Sequence, residues 1–471
     1  MSSLALRSYQ EPHFVKLLCS LLKNQRAHDG SDAGTGKTFV GAALAKALNE
    51  KILIVAPLSV LPDWKETLDG FGVTNYTLVN YEKAWRRLGE VVKWGSGSYF
   101  RWSGSFQTAF FDEGHRCGGE TSINSKMLIA AKRQFGRVMT MSATIADTPL
   151  RMKAFGYMMG FHAIGKDPQG RLPDWRNFLL KCQCKTGTFG GWTFSAKAHP
   201  MILVSLNELI YGGGGLGSRM RKEDIPDFPK TVISVRLLPC VESAVLKLSH
   251  ELQGFYQERM VTASKLEEQA KRKRREAEAN GYESQQSGEE LAKMTLLRQA
   301  LEIAKVSSIC DMVEDALETS RVAVFCNFNA TVDALCAAAE KRKWKYTVIR
   351  GSQSSSDAGR DERTAAIKAF QANQLDVIFC NIKAGGVGVS LHDPVTKVER
   401  TSIICPTFES VDLKQALGRV HRAEGGFSRQ FLVYFENTFE AIIARVVKNK
   451  LNALHLLNDA ELCGDFSRIA A

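Results

Sequence analysis

The octapeptide Ser31-Asp-Ala-Gly-Thr-Gly-Lys-Thr38 stands directly before a helix-like run, Phe39 to Leu48. It constrains the fold more than any other stretch, because a loop of this kind works only between a strand and a helix N-terminus. Gly34 and Gly36 let the backbone wrap a phosphate with no Cβ in the way. The main-chain N–H groups from Ser31, Asp32 and Ala33 through Gly34, Thr35 and Gly36 then face the anion, and the helix end adds its dipole. Lys37 reaches the β- and γ-phosphates, and the Thr38 hydroxyl can ligate Mg²⁺. The usual pattern opens with Gly, whereas here Ser31 holds that position and Gly30 lies one residue earlier. A chance Gly-rich turn before a helix is the bland alternative. The rest of the chain argues against it.

A chain of 471 residues suggests two or three domains and a sizeable core. Hydrophobic content of 44% and charged content of 24% are ordinary for a soluble globular protein. A net charge of +12 suits a polyanionic partner such as nucleic acid. The eleven Cys include no Cys-x-x-Cys, and Cys182-x-Cys184 has no His at zinc-finger spacing. That usage reads as reduced thiols in a cytoplasmic or nuclear compartment, not in a secreted protein. The N-terminus lacks a signal-peptide layout, and no apolar run approaches 18 residues, so no membrane partner is expected.

Along residues 1–150, short apolar runs alternate with helix-like stretches. Lys51–Pro57, Thr108–Asp112 and Arg137–Met141 read as buried strands that end where polar residues begin. A second series starts late, with Arg321–Cys326, Lys345–Ile349, Leu375–Cys380, Arg400–Cys405 and Phe431–Phe435. The fold class is therefore α/β, with two parallel-sheet units and helical insertions between and around them in sequence. The expected division is a first lobe over 1–228 with a helical insertion at about 150–228, a linker and helical protrusion over 229–310, and a second lobe over 311–471. Four glycines, Gly212 to Gly215, read as a loop. Lys271-Arg-Lys-Arg-Arg275 is a basic run near the turn of a helical hairpin expected at 280–288.

Asp112-Glu113-Gly114-His115 follows the strand Thr108–Phe111. An Asp there can hold Mg²⁺, and the adjacent Glu can polarise an attacking water. Ser142-Ala-Thr144 forms a small polar turn after the next strand, able to couple the nucleotide site to a bound strand. In the far half, Gln415-Ala-Leu-Gly-Arg419-Val-His-Arg422 begins on a helix, and its two arginines, three apart, are expected on one helical face. Two guanidiniums suit the spread charge of a transferring γ-phosphoryl group. Asn381-Ile-Lys383-Ala-Gly385-Gly-Val-Gly388 allows close backbone approach to a phosphate of nucleotide or nucleic acid. The tryptophans of Trp94–Trp102 could sit on a β-hairpin, with core packing the preferred reading.

This ordered set resembles helicase superfamily 2 from Leu6-Arg-Ser-Tyr-Gln10 to Arg422. Leu-Arg-x-Tyr-Gln, Asp-Glu-Gly-His, and Arg219-Met-Arg-Lys222-Glu-Asp224 followed by Phe228-Pro-Lys230-Thr are most similar to Swi/Snf-like ATPases. The compact form, with Leu457-Asn-Asp459 near the C-terminus, resembles phage- or virus-type members. The resemblance implies two RecA-like lobes, ATP and Mg²⁺. It implies that Gln10 contacts adenine, that Lys37 and Thr38 serve phosphate and Mg²⁺, and that Asp112 and Glu113 serve Mg²⁺ and water. Gln415, Arg419 and Arg422 then complete the site from the second lobe, and Gly388 joins the nucleotide contacts. Pro57, Ser59, Asn80, Tyr81 and Glu82 fall in segments that line the first-lobe nucleic-acid path in relatives, while Lys383 and Gly385 belong to the second-lobe path. The family's usual His-Arg-Ile-Gly-Gln is here His421-Arg-Ala-Glu-Gly425, and Ser142-Ala-Thr144 stands where Swi/Snf relatives often have Gly-Thr-Pro. The expected activity is that of a monomeric ATP-driven translocase on duplex or branched DNA. The alternatives are an RNA-directed helicase and a nucleotide-gated binding subunit.

Overall fold

The computed structural model describes residues 4–95, 97–165, 167, 169–186, 191–195, 197–240, 243–255, 257, 287–354, 357–385 and 389–459. The chain forms two compact units. The first takes in residues up to Lys185, then Phe194–Phe228 and the chain from Asn449; the second runs chiefly from Pro229 to Lys448.

The first unit is built on strands β1 (Arg26–Asp29), β2 (Ile52–Ala56), β3 (Tyr76–Asn80), β6 (Thr108–Asp112), β7 (Arg137–Met141) and β8 (Gly217–Ser218); a separate hairpin joins β4 (Gly89–Trp94) to β5 (Gly97–Trp102). The sheet order is β8-β1-β7-β6-β2-β3, and every neighbouring pair is parallel. Both faces are covered by helices, so the central strands must be apolar along their whole length, and β2 and β6 are buried at every position. Parallel order puts all the carboxyl ends on one rim, where an α/β sheet places its ligand. Asp29 of β1 and Asp112 of β6 both lie opposite Met141 of the intervening β7. Register alone therefore sets two carboxylates on either side of one strand end.

The helix Lys37–Leu48 packs its Val40 and Leu44 onto this sheet together with Leu17, Leu21, Ile54 and Trp64. Gly41 makes that approach feasible, since a Cβ there would lie 2.5 Å from the Trp64 ring. In the β4–β5 hairpin, Trp102 is buried edge-on to Phe100 and donates its indole N–H to the Met127 carbonyl at 3.0 Å. Core packing is thus the role of this tryptophan.

The second unit repeats the plan with β9 (Thr231–Leu238), β10 (Arg321–Cys326), β11 (Tyr346–Ile349), β12 (Val377–Asn381), β13 (Arg400–Ile404) and β14 (Ser428–Phe435). Its order, β9-β14-β13-β10-β12-β11, is again parallel throughout. These are the two parallel-sheet units that the strand series implied and the two RecA-like lobes that the resemblance implied. The basic run 271–275 and most of the hairpin expected at 280–288 lie outside the described residues. No helix among those described is long and apolar enough to cross a membrane.

Buried charge is organised locally in the second lobe. Lys305 is wholly buried and donates to the Glu440 carboxylate. Burial opposes the Lys305 charge, yet Glu440 outweighs it and raises the ammonium above its ordinary value. Glu302, also buried, accepts N–H groups of Asn327 and Phe328 at 2.6–3.2 Å. Its oxygens lie near the Cys326 and Cys405 thiols, but those N–H donors already satisfy the carboxylate. Breaking the Lys305–Glu440 pair from one side strands a buried charge. Lys305→Ala and Glu440→Gln are each expected to destabilise the second lobe by about 3–5 kcal/mol, and Lys305→Met with Glu440→Leu to recover much of that loss, read by urea denaturation.

Candidate active site

β1 hands the chain to the phosphate loop, and the loop hands it to the helix Lys37–Leu48. Gly34 and Gly36 sit at φ of 90° and 93°, a region closed to most side chains. Gly36 caps the helix without a side chain, so the first-turn N–H groups stay directed at the loop's mouth. Thr35 turns inward and donates its hydroxyl to the Asp32 carbonyl at 2.9 Å. Lys37 folds back onto the loop, its Nζ donating to the carbonyls of Ser31 at 2.8 Å and Asp32 at 3.1 Å. Ala33 and Thr38 are half-buried. The loop is strapped from outside: Arg219 donates to Asp32 Oδ1 at 2.8 Å, and the Lys222 N–H donates to Oδ2 at 3.2 Å.

Gln10 lies against this loop. Its Oε1 accepts from the Arg7 N–H at 3.0 Å and its Nε2 donates to the Thr35 carbonyl at 3.2 Å. A Cβ on Gly36 would meet that Nε2 at 2.3 Å. The carboxamide assigned to adenine by resemblance is therefore bonded at one end to its own turn and at the other to the glycine loop.

At the end of β6, Asp112 accepts the Trp64 indole N–H at 2.9 Å and the Glu113 N–H at 2.8 Å, while its carbonyl takes the Tyr81 hydroxyl at 2.7 Å. Burial and the neighbouring Glu113 charge push its carboxyl up to about 6, against the pull of the Trp64 bond and the Lys37 ammonium. The lysine of the loop and the acid of β6 thus share one field. Glu113 adopts a left-handed backbone at φ of 51°, unusual for a residue with a side chain and characteristic of working sites. His115 Nδ1 lies 3.3 Å from Glu113 Oε2 and 3.1 Å from Ser142 Oγ. Ser142 in turn accepts the Thr144 N–H at 3.2 Å and donates its own N–H to the Asp29 carbonyl at 2.9 Å. A continuous chain of contacts joins β1, the polar turn and the acid pair.

The residues expected on the first-lobe nucleic-acid path divide. Ser59 is half-buried in the short turn Leu58–Val60, after a buried Pro57. Asn80 is buried and caps the helix Tyr81–Arg87 through the Lys83 N–H. Tyr81 is 1% exposed, with its hydroxyl on Asp112. Asn80 and Tyr81 therefore brace the rim from within.

In the second lobe, Gln415 is buried on the helix Ser410–Leu417. That helix stops before the arginines, so Arg419 and Arg422 do not share a helical face as their spacing suggested. After Gly418 the chain tightens, with the Arg419 N–H on the Ala416 carbonyl at 3.0 Å. Arg419 then meets the neighbouring segment twice: its carbonyl accepts the Leu391 N–H at 2.9 Å, and its guanidinium donates to the Val389 carbonyl at 3.2 Å. Arg422 lies in a turn closed by the Gly425 N–H at 3.0 Å. Burial, then the Arg422 and Arg400 charges, lower His392 to about 4 and keep it neutral. Lys383 is exposed on the short helix Ile382–Gly385, with its N–H on the Asn381 side chain at 3.2 Å. Gly388 lies outside the described residues.

The family profile described as the helicase conserved C-terminal domain matches residues 304–424, which include Lys383, Gln415, Arg419 and Arg422. The chain is also 28% identical over 496 residues to a mimivirus protein of Acanthamoeba polyphaga mimivirus named as an ATP-dependent RNA helicase; the match covers 98% of this chain and 85% of the relative. The second lobe thus carries a match to the helicase conserved C-terminal domain. Three residues of this chain that bear on the site carry no motif signal. Trp64 reads as one more apolar position on the helix Leu61–Phe71, Tyr211 as the end of an apolar helix, and His13 as a lone histidine. Yet Trp64 holds Asp112, and the Tyr211 hydroxyl lies against Gly30, where a Cβ would meet it at 2.0 Å.

Trp64→Phe removes one hydrogen bond to a charge and leaves a small void where the larger indole packed against Gly41. It is expected to cost about 1.5–3 kcal/mol of first-lobe stability at pH 8. The cost should shrink at pH 5, because Asp112 then carries a proton and accepts more weakly; urea denaturation at the two pH values checks this. The parent's Asp112 itself, raised above its unfolded value, favours the folded lobe at low pH and gives that up as pH climbs through about 6.

Proposed function

We propose that this superfamily 2 helicase couples ATP hydrolysis to movement along nucleic acid, with duplex or branched DNA as its preferred track. The observation that carries the hydrolytic half is one rim of one sheet: a glycine loop with Lys37 at its helix end, facing an acid pair at the end of β6. Lys37 exchanges the Ser31 and Asp32 carbonyls for the β- and γ-phosphates. Residues 31–36 contribute N–H groups, and Gln10 frames the base side of the loop. Thr38 and Asp112 would hold Mg²⁺. They are hard oxygen donors, and a carboxyl raised to about 6 beside a second acid is the kind of group that a divalent cation relieves. When bound, that ion neutralises charge on the phosphate oxygens. Glu113, tied to His115, polarises the attacking water. Gln415 and Arg419 support Arg422, which contributes its guanidinium to the transferring phosphoryl group.

Pro57, Ser59, Lys383 and Gly385 are proposed to follow the nucleic-acid backbone, with Asn80 and Tyr81 bracing them. Such contacts are sequence-independent and weaken steeply with salt. The DNA preference rests on the Swi/Snf-like wording of Leu6–Gln10 and Asp112–His115. RNA is the second reading, favoured by the name of the mimivirus relative.

Steady-state ATP hydrolysis with single-stranded, duplex and fork DNA and with RNA, blanked by Glu113→Gln, separates the two. Stimulation by duplex or fork DNA above single strands supports the proposal, and stimulation by RNA alone replaces it with the second reading. Lys37→Ala is expected to weaken ATP binding in a direct titration. Arg422→Ala should keep ATP binding and lose roughly 10³-fold or more in turnover; a loss of only a few-fold would remove Arg422 from this role.

A further inference from the structure

Ser31 replaces the glycine that usually opens a phosphate loop, and it is wholly buried. Its Oγ accepts the Met220 N–H at 3.0 Å and lies 3.2 Å from His13 Nε2. Its own N–H donates to Asp29 Oδ1 at 2.9 Å, and its carbonyl receives Lys37 at 2.8 Å. Ser31 is thus anchored at once through side chain, amide and carbonyl, as is its neighbour Asp32.

His13 is the far end of that anchor. The same Nε2 lies 3.2 Å from Asp29 Oδ1, and Nδ1 lies 2.9 Å from Ser218 Oγ. One imidazole therefore joins the helix Glu11–Asn24, the end of β1, the loop and β8. At 5% exposure it acts on protein groups, not on a ligand in solvent. Burial opposes the Asp29 charge, but His13 and Lys37 outweigh it and hold that carboxyl well below the usual carboxylate range. The acid pair that serves the chemical step is held by other groups, Trp64 and His115.

We propose that His13 is a positioning residue for the phosphate loop: through Ser31 and Asp29 it fixes the carbonyl to which Lys37 is tied, and so governs ATP affinity rather than turnover. Without it the loop keeps its sequence but loses its preorganised shape, and binding must then order it. This inference rests on the reading of the loop as the ATP site.

The test uses the full chain with its stimulating nucleic acid, and reads kcat and KM for ATP beside direct titration with a fluorescent ATP analogue. His13→Ala should raise KM and the analogue Kd roughly 10-fold, the size of about one buried hydrogen bond, with kcat changed less than about 3-fold. Ser31→Gly should act likewise, and the double variant should be no worse than the stronger single one, because both remove one linkage. His13→Gln, which can restore a donor near the Nε2 position, should recover most of the affinity, whereas His13→Asn, which mimics only the Nδ1 side toward Ser218, should not. Equal behaviour of Gln and Asn, fold-changes that multiply in the double variant, or a kcat loss at unchanged KM would each overturn the proposal. If His13→Ala does not fold, Ser31→Gly and the Gln/Asn comparison still decide it. A parent that binds no analogue, with Lys37→Ala no different, would instead sink the ATP-site reading itself.

Discussion

One cation acts on both acids of the first-lobe rim. The Lys37 ammonium bears on both Asp29 and Asp112, the carboxylates that the register of β7 sets on either side of Met141. The two acids nevertheless move in opposite directions. Asp29 has His13 and two hydrogen bonds to its charged form, and stays ionised. The proton affinity of Asp112 is raised by its burial and by the Glu113 charge beside it. Similar residues on one rim thus receive different proton affinities from what lies within a few ångströms.

Both lobes use the same parallel plan, but they hold their charged groups differently. In the first lobe the key groups are tied to loops at the carboxyl ends of strands. In the second, Arg419 is bonded to the backbone of 389–391, while the buried Lys305–Glu440 pair and the Glu302 carboxylate knit the lobe's interior. A knit interior in the lobe that carries the loop-borne arginines suits the placed positive charge proposed for Arg422.

Much of this was legible because central parallel strands must be apolar end to end. Thr108–Asp112, Arg137–Met141 and Arg321–Cys326 match their expected bounds for that reason. β1 escaped notice because Arg-Ala-His-Asp has no apolar run; its His28 is buried by packing against Phe155 and bonding Thr140, which only the tertiary fold supplies. β9 escaped because an edge strand buries little of itself. The phosphate loop and the acid pair were legible since their chemistry dictates local spacing. The helical face assigned to Arg419 and Arg422 failed because a three-residue spacing says nothing about where a helix stops, and Gly418 lets it stop early. His13 and Trp64 act through contacts far away in sequence, where no local pattern can announce them.

The backbone at Glu113 carries one more consequence. Its left-handed conformation disfavours any residue with a Cβ, and glycine would occupy it with less strain. The lobe would accordingly fold more comfortably without the carboxylate proposed to polarise the attacking water. On the proposed role of Glu113, a search for more heat-resistant variants of this chain, made without a selection for turnover, would drift toward losing hydrolysis at this position.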